Sequence, residues 1–478
     1  MTSRTAPHVL IIGGGFAGVA TAIHLITQAR TPFALTLVES RAQVGRGVAY
    51  STRYVDHLVN GPAKNFSLYP DRPLHLADWL AANAASTAWS PADGTDWQDS
   101  FPPRHVYGDY VQATLAAALD HAPVRVDYQR VVGRAVDLIV AGDGYEATLA
   151  DGRRLVADTV VLATGLFNKK LSQSFEVAPA LIDDGRVVQN IWDEKPAAAA
   201  TRTDGDVLIV GSGLSALDAM ILADRQGFNG RFVSLSRRGQ LVQPRGNVEP
   251  WPVGLAADAL PRSLRELLRI VRPARRAIQR NGDSLQRLAP AVRPHVPALW
   301  AQASTDERRR FIRHLRPYWE ITLHRAPPVS AAWLSALTAS GRHDARTGRI
   351  NKLAAHASGG VEVTWLPRGA DLPQTFVVDR VLNAGGFEFD WQKIDDPLIR
   401  AVLRRGLARV HATRFGIDLD PATGALSSHG VFRPQSLYAV GHPARGAAWE
   451  SNAIGEQVGG ALNAARAIAE KLGVPAYA

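Results

Sequence analysis

Short apolar runs alternate with glycine turns and helical stretches at two places in the chain. Residues 8–12 form an apolar run, and a second run at 35–38 follows a glycine turn and an Ala- and Ile-rich helical stretch. The same order recurs from 207–210, where the run leads through a glycine turn and a helical stretch to a strand at 231–235. This order predicts an α/β architecture with a parallel sheet in each region.

The first turn has the glycine spacing that a dinucleotide requires. Gly13, Gly15 and Gly18 follow the pattern G-x-G-x-x-G, and Glu39 ends the second strand 21 residues after Gly18. The first glycine makes a tight turn, the second admits a diphosphate, and the third lets the helix pack closely. The acid binds a ribose diol. We predict that these four residues bind FAD; the alternative is a glycine-rich turn without a ligand.

The second turn differs from the first in its last strand. Its glycine pattern is G-x-G-x-x-A, and the sequence Ser-Arg-Arg at 236–238 stands where the acid stands in the first unit. Hydroxyl and guanidinium groups at this place favour a 2′-phosphate, so we predict NADPH, with NADH as the alternative. The expected ligands are Gly211, Gly213, Ser215, Arg237 and Arg238. The competing interpretation is a solvated strand end.

Three further apolar runs end in small residues, at 158–165, 379–386 and 436–443. Such runs are expected where the chain crosses between two dinucleotide-binding units. The run at 436–443 has a histidine where an acid usually binds the ribityl chain of FAD, which leaves that contact open. The predicted FAD contacts in these runs are Thr164, Gly165, Gly441 and His442.

Together these patterns predict two Rossmann-like domains with a helical insert. Residues 1–200 and 376–478 are expected to form a discontinuous FAD-binding domain. Residues 201–375 are expected to form the NAD(P)-binding domain, with an arginine-rich helical insert at 258–325.

Composition narrows the chemistry. The 478 residues include no cysteine, which excludes disulfide reductases, thiolate metal sites and iron–sulfur clusters. The net charge is +10, and the insert at 258–325 alone has 15 arginines against six acidic residues. Arginine favours flat anions. Because no histidine pair has metal-ligand spacing, we predict no metal.

Five segments resemble a bacterial FAD/NAD(P)-binding flavoprotein family, in which Arg46 would contact FAD. They are Gly45–Tyr50, His57–Leu80, Arg104–Tyr110, Arg308–Pro328 and Gly441–Gln457. That family includes FAD-dependent urate hydroxylase and L-aspartate N-monooxygenase. The resemblance implies an NAD(P)H-dependent monooxygenase that acts through a flavin hydroperoxide on a small anionic nitrogenous substrate and molecular oxygen. Urate is the first candidate and L-aspartate the alternative.

Two other functions stay open. One is a flavin reductase or oxidase that passes electrons to a partner. The other is nucleic-acid binding by the insert, which we do not expect because the insert matches no reading motif. The Baeyer–Villiger motif F-x-G-x-x-x-H is missing between the two turns, which argues against ketone oxygenation.

The candidate catalytic residues flank the predicted flavin. Arg445 and Asn452 lie in the loop after the last FAD strand, and Asn60 and Lys64 lie in a loop expected to pass the flavin. The alternatives are a phosphate or carbonyl contact for Arg445, a turn for Asn60 and solvation for Lys64. No apolar run is long enough to span a membrane, so we expect a cytoplasmic protein. We expect it to be a monomer or a homodimer.

Overall fold

The computed structural model describes residues 6–192, 198, 200–427 and 436–472. The described strands are β1 (His8–Ile12), β2 (Phe33–Glu39), β3 (Val126–Val132), β4 (Ala135–Ala141), β5 (Gly144–Leu149), β6 (Arg154–Ala157), β7 (Thr159–Leu162), β8 (Phe167–Asn168), β9 (Glu176–Val177), β10 (Val187–Val188), β11 (Val207–Val210), β12 (Phe232–Ser236), β13 (His343–Ala355), β14 (Val361–Pro367), β15 (Gln374–Val378), β16 (Arg380–Asn383), β17 (Phe387–Glu388) and β18 (Leu437–Ala439).

The described α-helices are α1 (Phe16–Gln28), α2 (His75–Ala82), α3 (Ala84–Thr87), α4 (Arg104–Asp120), α5 (Ala180–Asp183), α6 (Leu214–Arg225), α7 (Leu264–Arg280), α8 (Leu288–Val292), α9 (Val296–Gln302), α10 (Thr305–His314), α11 (Arg316–Leu323), α12 (Pro328–Ala339), α13 (Pro397–Arg404) and α14 (Ile454–Leu472). Among these helices, none combines the length and the apolar character needed to cross a bilayer.

The first sheet is parallel and has the strand order β18-β7-β1-β2-β3. All five residues of β1 are buried, and they alternate between two cores. Val9 and Ile11 pack with α1 and α14, whereas Leu10 and Ile12 pack on the opposite face. Burial on both faces explains why β1 is apolar throughout rather than alternating. An antiparallel sheet of β4, β5 and β6 packs against the second face.

The second sheet has the order β10-β16-β11-β12-β13-β14-β15, and β9 pairs with β13. Its central strands β16, β11, β12 and β13 are parallel, as expected for a dinucleotide-binding unit. The predicted fold class, α/β with two Rossmann-like units and a helical insert, is therefore confirmed.

The boundary between the two units differs from the predicted one. β9, β10 and β16 lie outside the predicted segment 201–375, yet they pair within the second sheet. β16 joins it through a full register with β11, from Val207 beside Arg380 to Val210 beside Asn383. β9 and β10 have two residues each, so they leave no periodic signal that a sequence pattern could detect.

Helices α7 to α11 form the arginine-rich insert between β12 and β13. The insert contacts the loop that follows β18 in the first sheet. The indole Nε1 of Trp300 donates to the Gly446 carbonyl at 2.8 Å, and Arg293 forms a salt bridge of 2.7 Å with Glu456. The insert, which interrupts the second sheet's unit between β12 and β13, therefore also contacts the first unit.

Candidate active site

A cleft of about 520 Å³ lies at the carboxyl ends of the first sheet's strands and extends to the second unit. The carboxyl edge of a parallel sheet is where such folds bind ligands. Eleven of the residues predicted from sequence line it: Gly13, Gly15, Glu39, Asn60, Arg46, Thr164, Gly165, Ser215, His442, Arg445 and Asn452.

The first glycine turn has the geometry that its spacing predicts. Gly13 has φ +109°, and a Cβ there would lie 2.1 Å from the Ala163 carbonyl oxygen. A Cβ on Gly18 would lie 1.9 Å from the Gly13 carbonyl oxygen, so this glycine packs the helix and does not line the cleft. Gly15 caps α1 without a side-chain hydrogen bond, which leaves the first helical N–H groups for a ligand phosphate.

Polar groups in the cleft wall fit a bound FAD. Glu39 is buried, and its Oε1 accepts from the Arg41 amide at 2.9 Å, so the carboxylate is fixed at the end of β2. Within the described part of the chain, the buried hydroxyl of Thr164 and Nε of Arg46 have no hydrogen-bond partner. Arg46 is held by an ion pair with Asp109. A cofactor with hydroxyl and phosphate oxygens would satisfy these orphaned groups.

His442 stands where an acid was expected, directly after Gly441, whose φ is +72°. It lines the cleft, and a Cβ added to Gly441 would lie 2.8 Å from the Cβ of Ala17. Burial, reinforced by the charge of Arg445, lowers the pKa of His442 to about 3. The imidazole is therefore neutral and offers the cleft a hydrogen-bonding group without a charge.

The second glycine turn approaches the same cleft from the other side. Gly211 has φ +119°, and a Cβ there would lie 2.4 Å from the Ala384 carbonyl oxygen. Space around Gly213 is open, with nothing within 4 Å of an added Cβ. These two glycines do not line the cleft, but Ser215 and Asp218 of the following helix do.

Arg237 and Arg238 lie outside the cleft lining, at the end of β12. Burial and the charges of Arg316, Arg238 and Arg349 lower the pKa of Arg237. The guanidinium of Arg238 lies over the ring of Tyr318 at 5.5 Å. A nucleotide phosphate bound here would pair with these positive charges.

Arg445 is only 4% exposed and points into an aromatic box. Its guanidinium lies 4.4, 5.5 and 4.9 Å from the ring centres of Phe389, Phe415 and Trp449. Its Nη2 donates to Glu320 at 2.5 Å. Burial lowers the pKa of Arg445, and the paired carboxylate of Glu320 opposes that shift.

Asn60 and Asn452 form the end of the cleft beside the insert. The backbone carbonyl of Asn60 accepts from Nε of Arg245 at 2.8 Å. The side-chain amide of Asn452 lies 3.2 Å from Nε2 of His324, whose pKa burial lowers to about 4. The insert thus contacts Asn452 through His324, whereas Asn60 is held by Arg245, which precedes the insert.

Lys64 was proposed as a flavin contact, but the structure places it elsewhere. Its Nζ forms a salt bridge of 2.7 Å with Asp99, and it does not line the cleft. The loop of Lys64 was expected to pass the flavin, and it lines the cleft through Asn60 rather than through Lys64. Lys64 lies on the short 3-10 helix Ala63–Asn65, which turns it toward the 97–99 segment.

Sequence analysis missed four residues that line the cleft. Trp192, Arg104 and Asp218 line the cleft where the two units meet, and Arg104 forms a salt bridge of 2.8 Å with Asp218. Arg134 lines it from the loop between β3 and β4. Arg104 lies in a segment of the resemblance and Asp218 in the helix after the second glycine turn, whereas Trp192 and Arg134 had no sequence signal.

One part of the chain matches a known protein family. Residues 10–167 match the FAD-NAD(P)-binding family. This match confirms the predicted FAD/NAD(P) cofactor class and the recognised flavoprotein resemblance for that part of the chain.

Over 261 residues the chain is 27% identical to nitrosuccinic acid synthase of Aspergillus oryzae, a match that covers 51% of this chain. The match spans 39% of that relative, or about two fifths of its length. Two solved structures share the fold. Ornithine hydroxylase of Pseudomonas aeruginosa has a TM-score of 0.63 at 15% identity over 98% of this chain and 100% of its own. The FAD-bound cadaverine monooxygenase of Erwinia amylovora has a TM-score of 0.63 at 10% identity over 97% and 95%.

The relative is named for nitrosuccinic acid, and the two structures are named for ornithine and cadaverine. They give urate hydroxylation, the first expectation, no support.

Proposed function

We propose that this protein is an FAD- and NADPH-dependent monooxygenase that hydroxylates the nitrogen of a small amine carrying carboxylates, with L-aspartate as the first candidate. The observation that carries the proposal is the shared cleft. Gly15 and Glu39 of the first unit and Ser215 and Asp218 of the second line the same space. Two nucleotides bound at these turns would meet there.

The chain's own residues provide binding and orientation. FAD, once reduced by NADPH, supplies the oxygen-transfer chemistry. The uncapped N-terminus of α1 would bind the FAD diphosphate, and Glu39 the adenosine ribose. The corresponding N-terminus of α6, capped by Gly213 without a side-chain hydrogen bond, would bind the NADPH diphosphate.

The end of the cleft suits an anionic amine. The aromatic rings around Arg445 exclude water, and neutral His442 adds no positive charge beside the amine that must react. Asn60 and Asn452 offer amide groups that hydrogen-bond a polar substrate. The match to a nitrosuccinic acid synthase supports aspartate because nitrosuccinate is aspartate with its nitrogen oxidised.

The test is oxygen-dependent NADPH consumption by the FAD-bound protein, with products identified by mass spectrometry. L-Aspartate, L-ornithine and urate are offered in separate reactions. We expect aspartate to stimulate consumption and to yield a product with oxidised nitrogen. Formation of 5-hydroxyisourate from urate would overturn the proposal. Stimulation by ornithine alone would retain N-hydroxylation and reject a substrate with two carboxylates.

A further inference from the structure

Two arginines lie behind the asparagine end of the cleft and contact only backbone carbonyls. Arg325 is 7% exposed, and its Nε donates to the Thr322 carbonyl at 3.1 Å. Arg245 donates from Nε to the Asn60 carbonyl at 2.8 Å and from Nη2 to the Leu323 carbonyl at 3.0 Å. Among the described residues, neither guanidinium forms a salt bridge with a carboxylate.

The backbone holds these two arginines next to each other. Residues 244 and 326 form an isolated parallel bridge, with the Arg245 amide 2.8 Å from the Ala326 carbonyl oxygen. Burial, together with the charge of Arg245, lowers the pKa of Arg325 to about 10. Burial and the charge of Arg293 also lower the pKa of Arg245. The two guanidinium groups are therefore partly desolvated positive charges held close together.

Other arginines near the cleft have a carboxylate partner. Arg104 pairs with Asp218 at 2.8 Å, and the buried Arg445 pairs with Glu320 at 2.5 Å. Arg293 contacts Glu450 at 3.0 Å. Burying an unpaired charge is costly, so proteins pair such charges or bind a counter-ion. Among the described residues, Arg245 and Arg325 lack the carboxylate partner that these neighbours have.

The pair also adjoins the cleft through two separate contacts. Arg245 bonds the backbone of Asn60, which lines the cleft. Arg325 directly follows His324, which lies within hydrogen-bond distance of the cleft residue Asn452. Neither arginine is itself among the described residues that line the cleft, so the two guanidinium groups adjoin it through Asn60 and Asn452.

We propose that Arg245 and Arg325 form a carboxylate-binding subsite that orients a dicarboxylate amine substrate beside the flavin. This inference rests on the proposed function and assigns the residues that select its substrate. A guanidinium binds a carboxylate through two parallel hydrogen bonds, which fixes the orientation of the substrate as well as its charge. Arg445 is less suited to this role because Glu320 already pairs with it.

The experiment compares Arg325→Gln and Arg245→Gln with Arg308→Gln as the matched control. Arg308 is also an insert arginine that bonds only carbonyls, those of Trp300 and Ala301 at 3.0 and 3.1 Å, and it lies outside the cleft. Binding of L-aspartate and of unreactive succinate is measured without oxygen from the change in flavin absorbance. We expect dissociation constants for both ligands to rise at least about tenfold in the two subsite variants and to stay unchanged in the control.

Two readouts separate the subsite from the proposed function. Each variant is checked for FAD content and for flavin reduction by NADPH, which the subsite should leave unchanged. If Arg325→Gln loses FAD, the subsite is tested with Arg245→Gln and with the charge-retaining Arg325→Lys instead. We expect Arg325→Lys to bind aspartate more tightly than a neutral variant.

Wild-type affinity for aspartate and succinate in both Gln variants would overturn the subsite while leaving the monooxygenase intact. A raised KM for NADPH with unchanged aspartate binding would assign the pair to the nucleotide and overturn it too. By contrast, failure of NADPH to reduce the flavin of the wild-type protein would contradict the proposed function itself.

Discussion

The two glycine turns have the same backbone geometry and opposite charges. Gly13 and Gly211 both have positive φ, and each packs on the loop after a neighbouring parallel strand, β7 or β16. Glu39 and Arg237 stand the same number of residues after these glycines. Glycine geometry thus builds a general diphosphate site, while the residue at the end of the second strand distinguishes the nucleotides.

A second difference lies at the third position of each pattern. Gly18 leaves no room for a methyl group, whereas the second unit has the fully buried Ala216 there. Helix α1 therefore approaches its turn more closely than α6 does. The first unit is the tighter of the two, which suits a cofactor that stays bound rather than one that must leave after each turnover.

Replacing Gly18, the third glycine of the first pattern, should have the largest effect on stability and on bound FAD. In Gly18→Ala the new Cβ would lie 1.9 Å from the Gly13 carbonyl oxygen, so α1 must shift and the turn must open. We expect a loss of about 1–3 kcal/mol in the free energy of unfolding and a loss of bound FAD. Thermal denaturation and flavin content after purification measure both.

Gly459→Ala is the matched control, since Gly459 is also helical and nothing lies within 4 Å of an added Cβ. It should retain FAD and be unchanged or slightly more stable. If Gly18→Ala retained FAD and stability as Gly459→Ala does, close packing at the first turn would not matter for the cofactor.

Removing the charge at the second turn should have an intermediate effect. With both Arg237 and Arg238 replaced by Ser, a 2′-phosphate loses its charge-assisted hydrogen bonds, so KM for NADPH should rise about 10- to 100-fold. KM for NADH should change little, because NADH has no 2′-phosphate.

The double variant Arg269→Ser and Arg272→Ser, at two exposed positions on α7, serves as the control for the loss of two positive charges. Steady-state kinetics with both coenzymes give the result. Equal increases in KM for NADPH and NADH would place Arg237 and Arg238 outside the 2′-phosphate site.

The smallest expected effect concerns the two helices behind the turns. His24 on α1 occupies the position that Leu222 occupies on α6, and burial lowers the pKa of His24 to about 4. The unfolded chain therefore binds more protons than the folded one between about pH 4 and the ordinary histidine pKa of 6.5. The stability present above that range is lost as the pH falls through it.

His24→Leu should flatten this acid dependence and raise stability near pH 5 by about 1–2 kcal/mol, as measured by urea denaturation across the range. The exposed His121, replaced by Gln, provides the comparison. An unchanged pH profile in His24→Leu would mean that His24 is not a source of acid sensitivity.

Local patterns predicted the two turns because the residues that form each nucleotide site lie close together in sequence. The first glycine turn and Glu39 belong to one strand–helix–strand unit, and the second glycine turn and the Arg237–Arg238 pair belong to another. Such units impose their geometry through neighbours in sequence, so spacing alone identifies them.

The cleft's far end could not be predicted in this way. Arg245 and Arg325 meet through a bridge between residues 244 and 326, and Trp192 reaches the cleft from a segment without a periodic pattern. Lys64 shows the reverse case, since its partner Asp99 lies on a separate short helix. Contacts between distant segments depend on packing of the whole fold, which no local motif encodes.

The most direct test of the paired-nucleotide account is the reduction of bound FAD by NADPH and by NADH in the wild-type protein without oxygen. The account predicts that both coenzymes deliver hydride in the shared cleft and that NADPH does so at least about tenfold more efficiently, because Arg237 and Arg238 bind its 2′-phosphate. Equal efficiency for the two coenzymes, or no reduction by either, would contradict it.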